Sequence, residues 1–139
     1  MSFFYYQTQS PFIGQKKSCY YFYDSAVAKY FGANVLICAQ TWLLNEILSQ
    51  KTYRLDQRWN AFHYQTSRGS QIPFAVTSGN HLAAYKLTLE ENVKLTELEV
   101  LKVFLAKSAS AKTEVHLIAP VNEAYTEKRV KVHPLQAII

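Results

Sequence analysis

The stretch that most limits what this chain can become runs from Asn34 to Gln50, NVLICAQTWLLNEILSQ, its longest apolar segment. At 100° per residue, Leu36, Ile37, Leu43, Leu44, Ile47 and Leu48 fall within an arc of about 140°, the width a core-facing helix needs. Val35, Cys38 and Trp42 form a second, smaller apolar stripe opposite. A helix apolar on two sides is expected to be central and covered from both. Gln40 lies within the main arc, so its amide requires either a buried partner or access to water.

The residues before this helix punctuate it. Asp24 is placed to cap a short helix through Phe31, Gly32 to end it in the left-handed conformation, and Asn34 to cap the central helix. Two helices joined by a tight glycine turn are therefore expected. Residues 1–23 carry two aromatic runs, Phe3 to Tyr6 and Tyr20 to Tyr23, which favour strands or an extended arm over the core.

Beyond Gln50 the pattern shortens. Phe62 and Tyr64 alternate with polar neighbours as in a strand, and Pro73 argues against an interior strand around Ile72 to Val76. Tyr85, Leu87 and Leu89 alternate with Lys86, Thr88 and Glu90. A helix capped at Ser78 or Asn80 and a hairpin turning at Glu91–Asn92 and returning through Val93 and Leu95 compete for these residues. Thr96 and Glu99 have capping-box spacing, and Leu98, Leu101, Phe104 and Leu105 recur on one helical face, which predicts a helix from 97 to about 108. Val115, Leu117 and Ala119, then Val130 and Val132, alternate as a closing two-stranded element.

Length suits one domain of 139 residues, divided into an aromatic arm or strands (1–23), a helical core (24–87), and a helix with a two-stranded element (88–139). No run is long and apolar enough to span a bilayer or serve as a cleaved signal, so a cytoplasmic protein without membrane contact is expected. Two cysteines, one of them in the central helix, suggest packing thiols. The histidines at 63, 81, 116 and 133 are isolated in sequence, and no phosphate loop, nucleophile elbow or metal-ligand spacing occurs. No cofactor is implied, and a non-enzymatic protein is expected. A small enzyme using His63 or His81 would gain support if those two imidazoles converged in one pocket.

The net charge of +5 is segregated. Between Lys51 and Leu89 the basic residues are Lys51, Arg54, Arg58, Arg68 and Lys86, against Asp56 alone; from Glu90 to Glu127 seven glutamates face four lysines. Such a window suits an anionic partner, nucleic acid first among them.

The string YDSAVAKYFGANVLICAQTWLL, with Gly32, Asn34, Gln40, Trp42, Trp59, Pro73 and Phe74 in matching order, resembles the N-terminal winged-helix module of phage and plasmid replication proteins. The resemblance covers residues 23 to about 87. It implies an α+β fold, a winged-helix-like helical core with a small antiparallel β element, whose recognition helix would occupy 78–87. It further implies that Asn80, His81 and Lys86 approach base edges while Lys51, Arg54, Arg58 and Arg68 contact phosphates. The expected function is a small nucleic-acid-binding protein of phage or mobile-element type. The alternative is a mobile-element inhibitor, anti-CRISPR-like, that docks on a host nucleic-acid-handling complex. A strand edge or the aromatic arm could mediate a homodimer.

Overall fold

The computed structural model describes residues 5–8, 19–22, 24–52, 59–65, 71–78, 80–107 and 112–138, with the backbone alone described in the first two segments and at some element ends. The described residues form one mixed α+β domain with three α-helices and an open six-stranded sheet. Strands β1 (Tyr5–Thr8) and β2 (Cys19–Phe22) pair antiparallel as a separate two-stranded sheet, in keeping with the aromatic runs they contain.

Helix α1 (Ser25–Tyr30) opens on Asp24, whose carboxylate accepts the Ala26 N–H at 2.6 Å. Gly32 follows at φ +88°, and Asn34 Oδ1 accepts the Ile37 N–H at 2.9 Å to start α2 (Val35–Thr52). These caps satisfy helix-end donors that would otherwise lack partners. Leu43, Leu44, Ile47 and Leu48 of α2 are buried against Phe74, Val76, Leu87 and Ile118. The sheet covers α2 along its C-terminal half, where the half-buried Trp42 joins this same cluster. Val35, Leu36 and Ile37 at the N-terminal end are exposed, and the Gln40 amide is accordingly only half-buried.

The large sheet contains β3 (Trp59–Gln65), β4 (Gln71–Ser78), β5 (His81–Leu87), β6 (Thr113–Ala119), β7 (Tyr125–Glu127) and β8 (Val130–Pro134), in the order β3-β4-β5-β6-β8-β7. The β3–β4, β4–β5 and β7–β8 pairs are antiparallel; β5–β6 and β6–β8 are parallel. A parallel pair needs a crossover, supplied between β5 and β6 by α3 (Leu95–Lys107). Helix α3 buries Leu98, Val100, Leu101 and Phe104 against Ile72, Ala75, Ala84, Val115, Leu117, Val130 and Val132. The sheet is thus covered by α2 on one face and α3 on the other, each packing an apolar cluster against its central strands.

Pro73 sits inside β4 because β4 is bulged. Phe62 pairs with Ala75 and Tyr64 with Ile72, so two steps on β3 oppose three on β4. The extra residue reverses the facing of the strand: Ile72 and Ala75 point to α3, Phe74 and Val76 to α2.

Three expectations are corrected. The segment assigned to a recognition helix is the central strand β5, so the helix a winged-helix module would present is not at 78–87. The hairpin through Val93 and Leu95 does not form: Leu89 is exposed beyond β5, and Leu95 begins α3, whose first N–H groups are received by the Lys94 carbonyl rather than by Thr96. The closing strands do pair, but side by side in parallel within the six-stranded sheet, not as a small antiparallel element.

Candidate functional site

Because side chains alternate along strands, Tyr85 of β5, Glu114, His116 and Ile118 of β6, and Lys131 and His133 of β8 all project on the α2 face. Tyr85 pairs in register with His116, and His116 with Lys131. The result is a row of rings crossing four strands. Phe74 stacks on Tyr85 at 5.7 Å between centroids, Tyr85 on His116 at 5.0 Å and 13°, and His116 lies 5.1 Å from His133.

Polar contacts run along the same row. His116 Nδ1 and His133 Nε2 are 2.9 Å apart, His116 Nε2 lies 3.5 Å from Glu114, and the Glu114 carboxylate receives Lys131 Nζ at 2.7 Å. The carboxylate accepts from His116 Nε2–H, which leaves Nδ1 to accept from His133 Nε2–H. In that assignment His133 Nδ1 keeps its lone pair. Burial, then the neighbouring His133, pushes the His116 pKa down to about 4 against the smaller opposing pull of Glu114. Burial, then Lys131, also lowers that of His133. Both rings are neutral at pH 7. Burial and the Glu114 charge raise the Tyr85 pKa, so its hydroxyl stays protonated, and the hydrogen bond from Lys131 holds Glu114 below its ordinary range.

Tyr85, His116 and His133 of this row form the floor of a cleft of about 230 Å³ whose other walls are Leu43, Ile47 and Gln50 of α2, and Ile118. A cleft with two hydrogen-bonded neutral imidazoles can accept or donate hydrogen bonds and can relay a proton. Among the described residues no group of three or more His, Cys, Asp or Glu is placed to hold a metal ion, since Glu114 approaches His116 from the nitrogen opposite His133.

The sequence pointed to a different pair of histidines. His63 is buried in β3 and His81 exposed at the start of β5, and the two do not line this cleft. The usable signal was the matching position of His116 and His133 within two alternating strands, which becomes contact only when those strands are neighbours.

The residues expected to touch nucleic acid are divided by the fold. Strands β3, β5, β6 and β8 all begin at one end of the sheet, as the pairs Trp59–Ser78, Ser78–His81 and Leu82–Thr113 establish. Asn80 and His81 lie exposed at this end, in the β4–β5 turn and the first residue of β5. Lys112, just before β6, is exposed here too, as are Lys128 and Arg129 in the β7–β8 turn. Lys128 and Arg129 have φ of 50° and 69°, a left-handed pair that a two-residue hairpin favours but that suits Asn-Gly better.

Arg54, Arg58 and Arg68 lie outside the described residues, as does the side chain of Lys51 in the last turn of α2. In the sequence, 53–58 precedes β3 and 66–70 stands between β3 and β4. Lys86 lies at the opposite end of the sheet from His81. Its ammonium donates to the Gln71 carbonyl at 2.7 Å and pairs with Glu97 at 3.1 Å on the α3 face, an ion pair that also compensates an otherwise unbonded Glu97 oxygen.

Comparison with protein-family models, with curated proteins and with solved structures finds no match to this chain. Among the described residues, no helix is long and apolar enough to cross a membrane.

Proposed function

We propose that the protein binds nucleic acid through the end of the sheet where β3, β5, β6 and β8 begin. The observation that carries this reading is the gathering of basic residues at that end from three separate parts of the chain. His81 opens β5, Lys112 precedes β6, and the Lys128–Arg129 turn precedes β8. Arg54 and Arg58 stand in the sequence just before β3.

Four inter-strand steps at about 4.8 Å make a front about 19 Å wide. At one charge per about 1.7 Å of duplex axis, a front of that width faces roughly eleven phosphate charges. The dibasic turn supports the reading further, because left-handed backbone costs non-glycine residues about 1–2 kcal/mol each. A sequence selected only for stability would place Asn-Gly there; Lys128 already pairs with Glu99 at 3.6 Å, so it is Arg129 that this strained turn offers to an anionic partner.

The test is the double variant Arg54→Ala/Arg58→Ala against Arg68→Ala, with binding to a labelled duplex measured across a salt series. The double variant loses affinity and its log–log salt slope shallows by about 0.9 per phosphate contact removed. Arg68→Ala, outside the segment that precedes β3 in the sequence, changes neither. Equal losses in both variants would discard this surface.

A second reading, a mobile-element inhibitor docking on a host nucleic-acid-handling protein, is favoured by a separate feature. Around the α1–α2 junction Tyr30 is 85 % exposed, Phe31 67 % and Val35 74 %, with Leu36 and Ile37 beside them. Grouped exposed aromatic and aliphatic side chains are characteristic of protein-binding patches.

A further inference from the structure

The cleft over the His116–His133 row has a size, a wall and a polarity that together select one ligand chemistry. A cavity of about 150 Å³ accepts a single six-membered ring, so about 230 Å³ is half as large again and takes a fused bicycle. Sites for whole drug-sized ligands start at about 300 Å³, so anything attached to that bicycle must remain outside.

The walls are apolar where Leu43, Ile47 and Ile118 face the space, and polar only at particular points. The Gln50 amide, exposed in the last turns of α2, offers a donor and an acceptor side by side, and His133 Nδ1 offers a lone pair. Lys131 is engaged by Glu114 and both imidazoles are neutral, so among the described residues lining the cleft none supplies the positive charge that a phosphate or carboxylate would need. What fits is a flat, uncharged bicycle carrying a donor and an acceptor on one edge.

We propose that this cleft binds a purine base, with the Gln50 amide pairing bidentately to N6 and N7 of an adenine and His133 Nδ1 accepting the remaining N6 hydrogen. Glutamine pairs in this way with the N6 and N7 positions of adenine. The base can come from a free nucleoside or from an unpaired position of a single strand. The site is separate from the basic end of the sheet and does not depend on it, since a nucleoside carries no phosphate.

The experiment is a titration of the intact protein followed by the imidazole ¹H–¹⁵N resonances of His116 and His133. The probes are adenosine, uridine, and short oligo-dA and oligo-dT single strands. Adenosine shifts both histidines saturably, and uridine binds about tenfold more weakly for want of the second ring and the matching edge. Gln50→Leu, at an exposed site that leaves folding intact, weakens adenosine binding about tenfold. His133→Phe keeps a ring in place, removes the acceptor, and weakens it as well. If oligo-dA moves the same resonances, the base comes from a single strand; if only adenosine does, the ligand is the free nucleoside. No saturable shift with adenosine or oligo-dA up to the solubility limit overturns the proposal. Equal affinity for uridine, or undiminished binding in Gln50→Leu, overturns it too. Because adenosine binding is unaffected by Arg54→Ala/Arg58→Ala, its failure and the failure of the basic surface are read separately.

Discussion

His116 makes the stability of this fold depend on pH in a window where few other groups titrate. In the unfolded chain its imidazole titrates near its ordinary value of 6.5; in the fold, burial and His133 hold it at about 4. The folded state therefore binds fewer protons than the unfolded state between those values. For a lowered histidine the contribution is present above pH 6.5 and is lost as pH falls, levelling off below the folded value. With 1.36 kcal/mol per pK unit, the loss between about pH 7 and about pH 5 is about 2 kcal/mol, a large share of a typical domain's stability. His133 shifts in the same direction and adds to it. Glu114 acts lower, because a depressed carboxylate loses its contribution only below its own unfolded value of 4.5.

The assay is urea unfolding at half-unit steps from pH 7.5 to pH 4.5, for the native chain and for His116→Phe. Phenylalanine keeps an aromatic ring in the Tyr85 stack and removes the titration. The native protein loses about 2 kcal/mol between about pH 7 and about pH 5, while the variant, whatever its absolute stability, gives a flatter profile. Parallel profiles for the two proteins would refute the reasoning, since they would place the acid sensitivity elsewhere.

Other expected outcomes follow from single features of the fold. Replacing Lys128–Arg129 with Asn-Gly relieves two left-handed residues and raises stability by about 1–2 kcal/mol in thermal unfolding, while nucleic-acid affinity falls. Gly32→Ala meets no atom within 4 Å of the added methyl, so its whole cost is the φ of +88°, about 1 kcal/mol by denaturant titration. Phe74→Ala, fully buried beneath α2 and stacked on Tyr85, costs about 3–5 kcal/mol and loosens the cleft floor as well.

Local chemistry was legible in the sequence wherever it acts over a few residues. The Asp24 and Asn34 caps, the Gly32 turn, the buried Leu43 to Leu48 face and the Leu98, Leu101, Phe104 face were all readable, because caps and helical periodicity are short-range. The alternation of 115–119 and 130–132 identified strands but not their neighbours. Nothing local states that β6 lies between β5 and β8, and that order alone brings His116 to His133, 17 residues apart. Pro73 argued against an interior strand because a bulge that absorbs a proline depends on the opposing strand's register. Lys86 looked like a free cation because its partner, Glu97, reaches it only through the crossover helix. The segregated charge was visible, but the division of Lys86 from His81 and Lys112 depends on strand direction.

Binding of the purified protein to labelled single-stranded and double-stranded DNA across a salt series tests the central claim most directly. The account predicts micromolar or tighter binding at low salt that weakens steeply as salt rises, with a log–log slope corresponding to several released counterions. Absence of binding at low salt, or binding indifferent to salt, would contradict it and turn attention to the exposed aromatic surface at the α1–α2 junction.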